Sequence, residues 1–311
     1  MSGGEAMTNW VTGAVRSARR IRSIVGALAV AAVAAATCGF AGATPSLAAS
    51  SPPHIMLIVM ENEGYAQIIG NTQAPYINSL ASTYASATKW YGLQDSSLAD
   101  YIALVSGTTG TYSAPTLIGE LANASISWRA YMEDMPSVCY TGKGIGNYSK
   151  LHNPFVYFKS IRNTALCNQV VPFSPAFGND LSSNTAPDFM WVSPNECDDM
   201  NSKCSPLNNH IKQGDQWLQA TMPTVLKSQW YAAGGTIIVT WDSATKADQS
   251  GWNTGTGGHV PTIVISAKSS GTFSLGGNHY GTLRAIEEAY GVGLLGASAT
   301  AANGDLTPAF G

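Results

Sequence analysis

Short uninterrupted apolar runs recur along the chain, and each is bounded by polar residues. His54–Met60 (HIMLIVM) runs into Glu61-Asn62. Phe189–Val192 (FMWV) precedes Ser193-Pro194-Asn195, Gly235–Trp241 (GTIIVTW) precedes Asp242, and Val260–Ile265 (VPTIVI) follows His259. Continuous rather than alternating apolar runs suit strands covered on both faces, as in a mostly parallel sheet. Helical patterns lie between them at Tyr76–Tyr84, Leu98–Val105, Thr116–Asn123, His210–Lys227 and Gly281–Tyr290. The alternation predicts an α/β fold, a mostly parallel central sheet sandwiched by helices. Such folds place ligands beyond the C-terminal ends of their strands. The Gly/Ser/Thr-rich stretches Ser243–Gly258 and Ser266–Gly277 read as loops, the first long enough to line a site. No internal repeat occurs, and no linker follows Ala49–Pro53, so residues 49–311 are expected to form one domain.

The N-terminus has a different pattern. Arg16, Arg19, Arg20 and Arg22 precede an uncharged run from Ile24 to Ala43, then Pro45 and Ser46-Leu47-Ala48. This is the order of a secretory signal peptide, with cleavage expected after Ala48. A retained membrane anchor is the rival reading, since twenty residues can span a bilayer. Arg19-Arg20 permits a twin-arginine reading, although Ile-Arg-Ser after it matches poorly. Cys38, in Ala-Ala-Thr-Cys, is a weak candidate for lipid attachment.

Of 311 residues, 45% are apolar and only 11% charged, which excludes a disordered chain. Beyond residue 48 there are 12 basic and 18 acidic groups. That balance counts against nucleic acid as a partner and against a polybasic membrane-surface protein. Four cysteines remain after Cys38, an even number in an exported chain, so two disulfides are expected. Three connectivities are possible; Cys197–Cys204 and Cys139–Cys167 are favoured over metal binding, because neither pair has CxxC spacing.

Glu61-Asn62 closes the first strand, Asp242 closes a late one, and His259 opens the next. Oxygen and nitrogen donors gathered at one sheet edge suit a divalent cation, although strand-terminal Asp and Asn also serve as caps and turn formers. Asp198-Asp199 and Asn201, after Pro194-Asn195, offer further ligands or a solvated acidic loop. Ser96-Ser97 stands immediately before a helical stretch, where backbone N–H groups and the helix dipole favour an anion such as a phosphoryl group. An N-cap serine is the simpler reading of the same pair.

These residues lie in segments that resemble a known family. HIMLIVMENEGYAQIIG…APYINSLA is similar to the opening of the bacterial phosphoesterase family, which holds secreted acid phosphatases and relatives of phospholipase C. The family belongs to the alkaline phosphatase superfamily. The resemblance continues through SLADYIALVSG, WRAYMEDMPSVCYT, HNPFVYF, WVSPNECDDM, IIVTWDS, HVPTIVIS and NHYGTLRAIEEAYG, in a consistent order. It implies an alkaline-phosphatase-like fold, with Ser97 as nucleophile and Glu61, Asn62 and Asp242 binding a divalent metal ion of unspecified identity. His259 would lie beside the metal or phosphate, His279 at the site rim, and His152 either at the site or packed in its loop. His54 and His210 read as strand-edge and surface residues.

The motifs also depart from the family. Its usual His-Pro-Ser-Leu-Pro-Asn-Tyr is here Asp95-Ser96-Ser97-Leu98-Ala99-Asp100-Tyr101; its Trp-Asp-Glu is Trp241-Asp242-Ser243; its Asp-Met-His is Asp199-Met200-Asn201. Asp95, Asp100, Asn195 and Asp199 therefore join His152 and His279 as candidate substrate or metal contacts. The resemblance implies a secreted acid phosphatase acting on phosphate monoesters, with a phosphorylated small molecule or lipid head group, phosphoinositides included, as partner. No stable membrane span is expected after cleavage. The alternatives are a non-catalytic member that binds a phosphorylated ligand or a surface partner, and a phospholipase C-type phosphodiesterase.

Overall fold

The computed structural model describes residues 51–248 and 250–310. The expected signal peptide, its cleavage site and Cys38 lie outside the described residues.

In chain order the elements are β1 (Ile55–Met60), α1 (Tyr65–Ile68), α2 (Pro75–Thr83), β2 (Ala85–Ala87), β3 (Trp90–Tyr91), α3 (Ser97–Ser106), α4 (Leu117–Asn123) and β4 (Trp128–Met132). There follow α5 (Lys159–Arg162), β5 (Val170–Pro172), α6 (Phe173–Ser182), β6 (Phe189–Ser193), α7 (His210–Leu226), α8 (Gln229–Ala232), β7 (Thr236–Trp241), β8 (Thr262–Ile265), β9 (Thr272–Phe273), β10 (Gly277–Asn278) and α9 (His279–Tyr290). One sheet has the order β5-β4-β6-β1-β7-β8-β2-β9, and β10 pairs with β3 beside it. The five strands from β5 to β7 run parallel, while β8 is antiparallel to both its neighbours.

Strand β1 shows why the sheet is central. All six of its side chains are buried, and the two-residue strand period divides them between two cores. Ile55, Leu57 and Val59 join α3, α4 and α9 on one face. Met56, Ile58 and Met60 join α2, α6 and α7 on the other. Burying each of these side chains is worth about 1.5–3 kcal/mol, so exposing either face of the strand is prohibitive.

The expected strands and helices are all present, within a few residues of their expected ends. The short strands β2, β3, β4, β5, β9 and β10 and helices α1, α5, α6 and α8 are additional, and β9 lies within the stretch Ser266–Gly277 expected to be a loop. The disulfides are Cys139–Cys167 and Cys197–Cys204, as expected. Among the described residues no helix is long and apolar enough to cross a membrane.

Candidate active site

Four segments converge at the C-terminal edge of the parallel strands. Glu61 and Asn62 follow β1, Asp242 follows β7, Asp199 lies beyond β6, and Ser97 is the first residue of α3. Because β8 runs antiparallel to β7, His259, three residues before β8, also lies at this edge.

Glu61 is the hub. Its Oε2 accepts from Ser97 Oγ at 2.8 Å and from Asn62 Nδ2 at 2.9 Å. Its Oε1 is 3.2 Å from His152 Nε2, and His152 Nδ1 is 2.8 Å from Asp199 Oδ2. The Asn62 backbone N–H donates to Asp242 Oδ1 at 2.9 Å. Asn62 has φ +51°, the left-handed region that asparagine tolerates better than most residues. That turn lets one residue hold two carboxylates, Asp242 through its backbone and Glu61 through its side chain. Gly92 packs under the site, where an added Cβ would come 2.7 Å from the Asp242 carbonyl oxygen.

Ser96 occupies the N-cap position of α3 but makes no side-chain capping bond. The Ser97 hydroxyl is bonded to Glu61 instead, which sets aside the N-cap reading for that hydroxyl. The backbone N–H groups of Ser97 and Leu98 find no acceptor among the described residues, as expected for a first helical turn.

Glu61, Asp199 and Asp242 are all fully buried. Burial first, then the charges of Asp242 and Asp199, push the Glu61 pKa well above its ordinary value. Burial pushes Asp199 up to about 6, against the opposing pull of His152. Burial alone would lower the His152 pKa, but its hydrogen bond to Asp199 and the surrounding carboxylates raise it overall. Tyr101 stacks on the His152 ring at 5.5 Å. Burial and the same carboxylates raise the Tyr101 pKa, so its phenol stays neutral.

The remaining candidates are dispersed around this cluster. His279 is buried and donates from Nε2 to the Asp242 carbonyl; burial lowers its pKa, so the ring is neutral. The ring thus lies behind the site and holds its backbone, where the sequence placed it at the rim. His259 stacks between Tyr65 at 4.4 Å and Tyr91 at 5.0 Å, with no side-chain bond to the carboxylates. Asp95 is exposed, and its charge reaches the site as a repulsion felt by Asp100. Asp100 is buried and accepts from the backbone of Leu93 at 2.7 Å and of Gln94 at 3.3 Å. Both oxygens are engaged in holding the loop before α3. The Asn195 amide donates to Asp134 and Asp198 and accepts from the backbone of Cys197 and Asp198, so it organises a separate acidic turn.

Asn201, noted in the sequence chiefly as a lost histidine, accepts from Asn62 Nδ2 at 2.8 Å. A carboxylate that already takes the Ser97 proton requires the Asn62 amide to face it nitrogen-first. The second proton on that nitrogen then requires Asn201 to present its oxygen. The Asn201 Nδ2 is left with no partner among the described residues and lies at the exposed side of the cluster. No hydrophobic periodicity signals Asn201 or His152; only the motifs mark them.

The sequence profile of the Phosphoesterase family matches residues 70–293. The chain belongs to the phosphoesterase family. It is accordingly a phosphoric-ester hydrolase by class. It is 32% identical over 293 residues to a phosphatidylinositol-3-phosphatase of Mycobacterium tuberculosis, covering 88% of this chain and 91% of that protein. A phosphate-repressible acid phosphatase of Penicillium chrysogenum is 24% identical over 181 residues, which span 53% of this chain and 42% of the fungal protein. Among solved structures, an alkaline phosphatase superfamily protein of Vibrio parahaemolyticus superposes with a TM-score of 0.55 at 14% identity, covering 78% of this chain and 67% of that one. A lipoteichoic acid synthase of Listeria monocytogenes gives 0.56 at 9% identity, covering 78% and 72%. The structural likeness establishes the fold: α/β, with a mostly parallel central sheet flanked by helices.

Proposed function

We propose that the chain is an exported, metal-dependent phosphomonoesterase of residues 49–311 that uses Ser97 as nucleophile. The observation that carries the reading is the Ser97 hydroxyl, 2.8 Å from a buried carboxylate at a helix N-terminus. The similarity to a phosphatidylinositol-3-phosphatase along nearly its whole length favours phosphorylated head groups as substrates.

The donor chemistry fits a hard divalent cation. Three buried carboxylates face a single imidazole, an excess of negative charge that burial makes costly. Oxygen ligands from Glu61, Asn62 and Asp242 match such an ion. Among the described residues no three His, Cys, Asp or Glu side chains stand ready to hold a metal; Ser97, Asn62 and His152 instead occupy the Glu61 oxygens. Glu61, Asn62 and Asp242 would hold the ion, which when bound supplies charge neutralisation at the phosphoryl group.

The chain's own groups do the rest. Glu61 orients the Ser97 Oγ and draws on its proton. The unshared N–H groups of Ser97 and Leu98 and the dipole of α3 favour phosphoryl oxygens at that end. In-line attack by Oγ on phosphorus forms the serine–phosphate bond as the bond to the leaving oxygen breaks. Water then cleaves the phosphoserine, releasing phosphate and restoring the hydroxyl. His152, held by Asp199 and stacked on Tyr101, fixes the Glu61 carboxylate.

The test is hydrolysis of p-nitrophenyl phosphate by the mature protein, with chelator and with divalent ions added back. Turnover that chelator abolishes and one ion restores supports the reading. A metal at 100 times its Kd should also stabilise the fold by about 2.7 kcal/mol, read as a raised Tm. Metal-independent turnover overturns the metal, and an inert protein with every ion overturns the catalytic reading.

A further inference from the structure

Charge is distributed very unevenly along the chain. Residues 135–179 contain Lys143, Lys150, Lys159 and Arg162 but no Asp or Glu, whereas the rest of the chain beyond residue 48 holds eight basic and eighteen acidic residues. The same region carries half of the large exposed apolar side chains among the described residues. Six large apolar side chains are strongly exposed among the described residues; Val138, Ile145 and Leu151 lie in this segment, and Tyr112 packs against it.

Contacts join Tyr112, Tyr157, Lys150 and Thr141 into one face. Tyr112 lies 5.5 Å from the Tyr157 ring, and the Lys150 ammonium sits 5.1 Å over that same ring. Lys150 Nζ also donates to the Thr141 carbonyl at 2.8 Å, two residues from the exposed Lys143. Ile145 and Tyr148 exchange backbone hydrogen bonds at 3.0 and 3.1 Å, so the exposed Ile145 sits on the turn that leads to Lys150. The scaffold is held rather than loose, because the Cys139–Cys167 disulfide closes its base and Glu196 N–H bonds to the Asn147 carbonyl. The face adjoins the site. Leu151 is half-exposed, while the next residue, His152, is buried against Glu61.

Apolar tips, aromatic rings and lysines in a segment that itself holds no Asp or Glu, with Glu196 at its border, form the combination that suits a bilayer interface bearing negative charge. We propose that this face docks the protein on the surface of an anionic lipid bilayer, with the Ser97 edge beside it. The idea that docking serves catalysis on a lipid head group rests on the phosphatase reading; the docking itself does not.

The experiment is flotation of the purified mature protein, residues 49–311, with vesicles of phosphatidylcholine alone and of phosphatidylcholine mixed with phosphatidylserine, at low and high salt. Phosphatidylserine bears no phosphate monoester, so binding to it reports the face and not capture by the site. The wild type should partition onto the mixed vesicles and be released by salt. A lysine near such a surface contributes about fivefold in partition, so Lys143→Glu with Lys150→Glu should lose at least about tenfold. Ile145→Ser with Leu151→Ser should weaken binding as well, through lost insertion of apolar area. Both double variants should keep the wild-type Tm and turn over soluble p-nitrophenyl phosphate at wild-type rates.

Equal partition onto neutral and mixed vesicles overturns the proposal, as does wild-type binding by the lysine variant. Turnover of the soluble substrate without vesicle binding would sink the docking face and leave the phosphatase intact. Vesicle binding by a protein inert on the soluble ester would do the reverse.

Discussion

Glu287 offers a quantitative test of how the site is braced. It is fully buried near the end of α9, where its Oε1 accepts from Leu295 N at 3.1 Å and its Oε2 from Ser298 Oγ at 2.6 Å. The Gly296–Ala299 turn it holds also bonds through Ala297 N to the Gly107 carbonyl at the end of α3. One carboxyl therefore ties together the helix that begins with Ser97 and the helix that begins with His279. Burial raises its pKa to about 7 against its two hydrogen bonds, with the Glu120 charge adding. The folded value lies above the unfolded one, so the folded state binds the proton more tightly. The stability contribution is then complete below about pH 4.3 and is lost as pH rises through 7. The size of the loss is about 3 kcal/mol, at 1.36 kcal/mol per unit. Glu287→Gln removes the titration and keeps an acceptor for Leu295 N, while the Ser298 hydroxyl can turn to accept from the new amide. Denaturant melts of both proteins between pH 4 and pH 8 should converge in acid and separate by about 3 kcal/mol in favour of the variant above pH 7. Other raised carboxyls titrate in both proteins and cancel in the difference. Parallel stability curves across the range would refute the argument.

Asp100→Asn, which by family pattern would restore an amide, should instead lose stability. An amide has one acceptor oxygen, so its NH2 would face the N–H of Leu93 or Gln94 at a cost of about 1–3 kcal/mol; an equally stable and more active variant would contradict this. Asn201→Asp keeps an oxygen for Asn62 but replaces the free N–H donor with charge. KM for p-nitrophenyl phosphate should rise by about tenfold with Tm little changed, and an unchanged KM would remove Asn201 from the site. Replacing both Cys139 and Cys167 with Ser opens a loop of sequence separation 28; a loss of about 3–4 kcal/mol in denaturant melts is expected, and an unchanged midpoint would show that the pairing contributes nothing.

The sheet was legible in the sequence because β1, β6 and β7 are buried on both faces and therefore read as unbroken apolar runs. Strand β4 escaped notice because Arg129 interrupts it, its guanidinium bonded to Asp180 at 2.7 Å and to Gln169. Strand β2 has only Ala85, Ser86 and Ala87 to announce it. Helix α6 begins at Phe173-Ser174-Pro175, and Ser174 keeps an extended backbone, which breaks the helical pattern at its start. In the site, Glu61, Asn62 and Asp242 could be placed together because strand ends share an edge. The positions of His152 and Asn201 depend on how loops return to that edge, and periodicity carries no information about that. Asp100 and Asn195 look like ligands in sequence because carboxylates and amides serve equally to satisfy loop backbone.

The central claim is that Ser97 forms the bond to phosphorus, and paired rates of Ser97→Ala and Ser96→Ala test it most directly. The two serines are adjacent at the start of α3, yet only Ser97 reaches Glu61, while Ser96 is exposed and makes no capping bond. With the activating metal present, kcat on p-nitrophenyl phosphate should fall by on the order of 10³ or more in Ser97→Ala. Ser96→Ala should stay within a few-fold of wild type. Wild-type turnover by Ser97→Ala under those conditions would contradict the account.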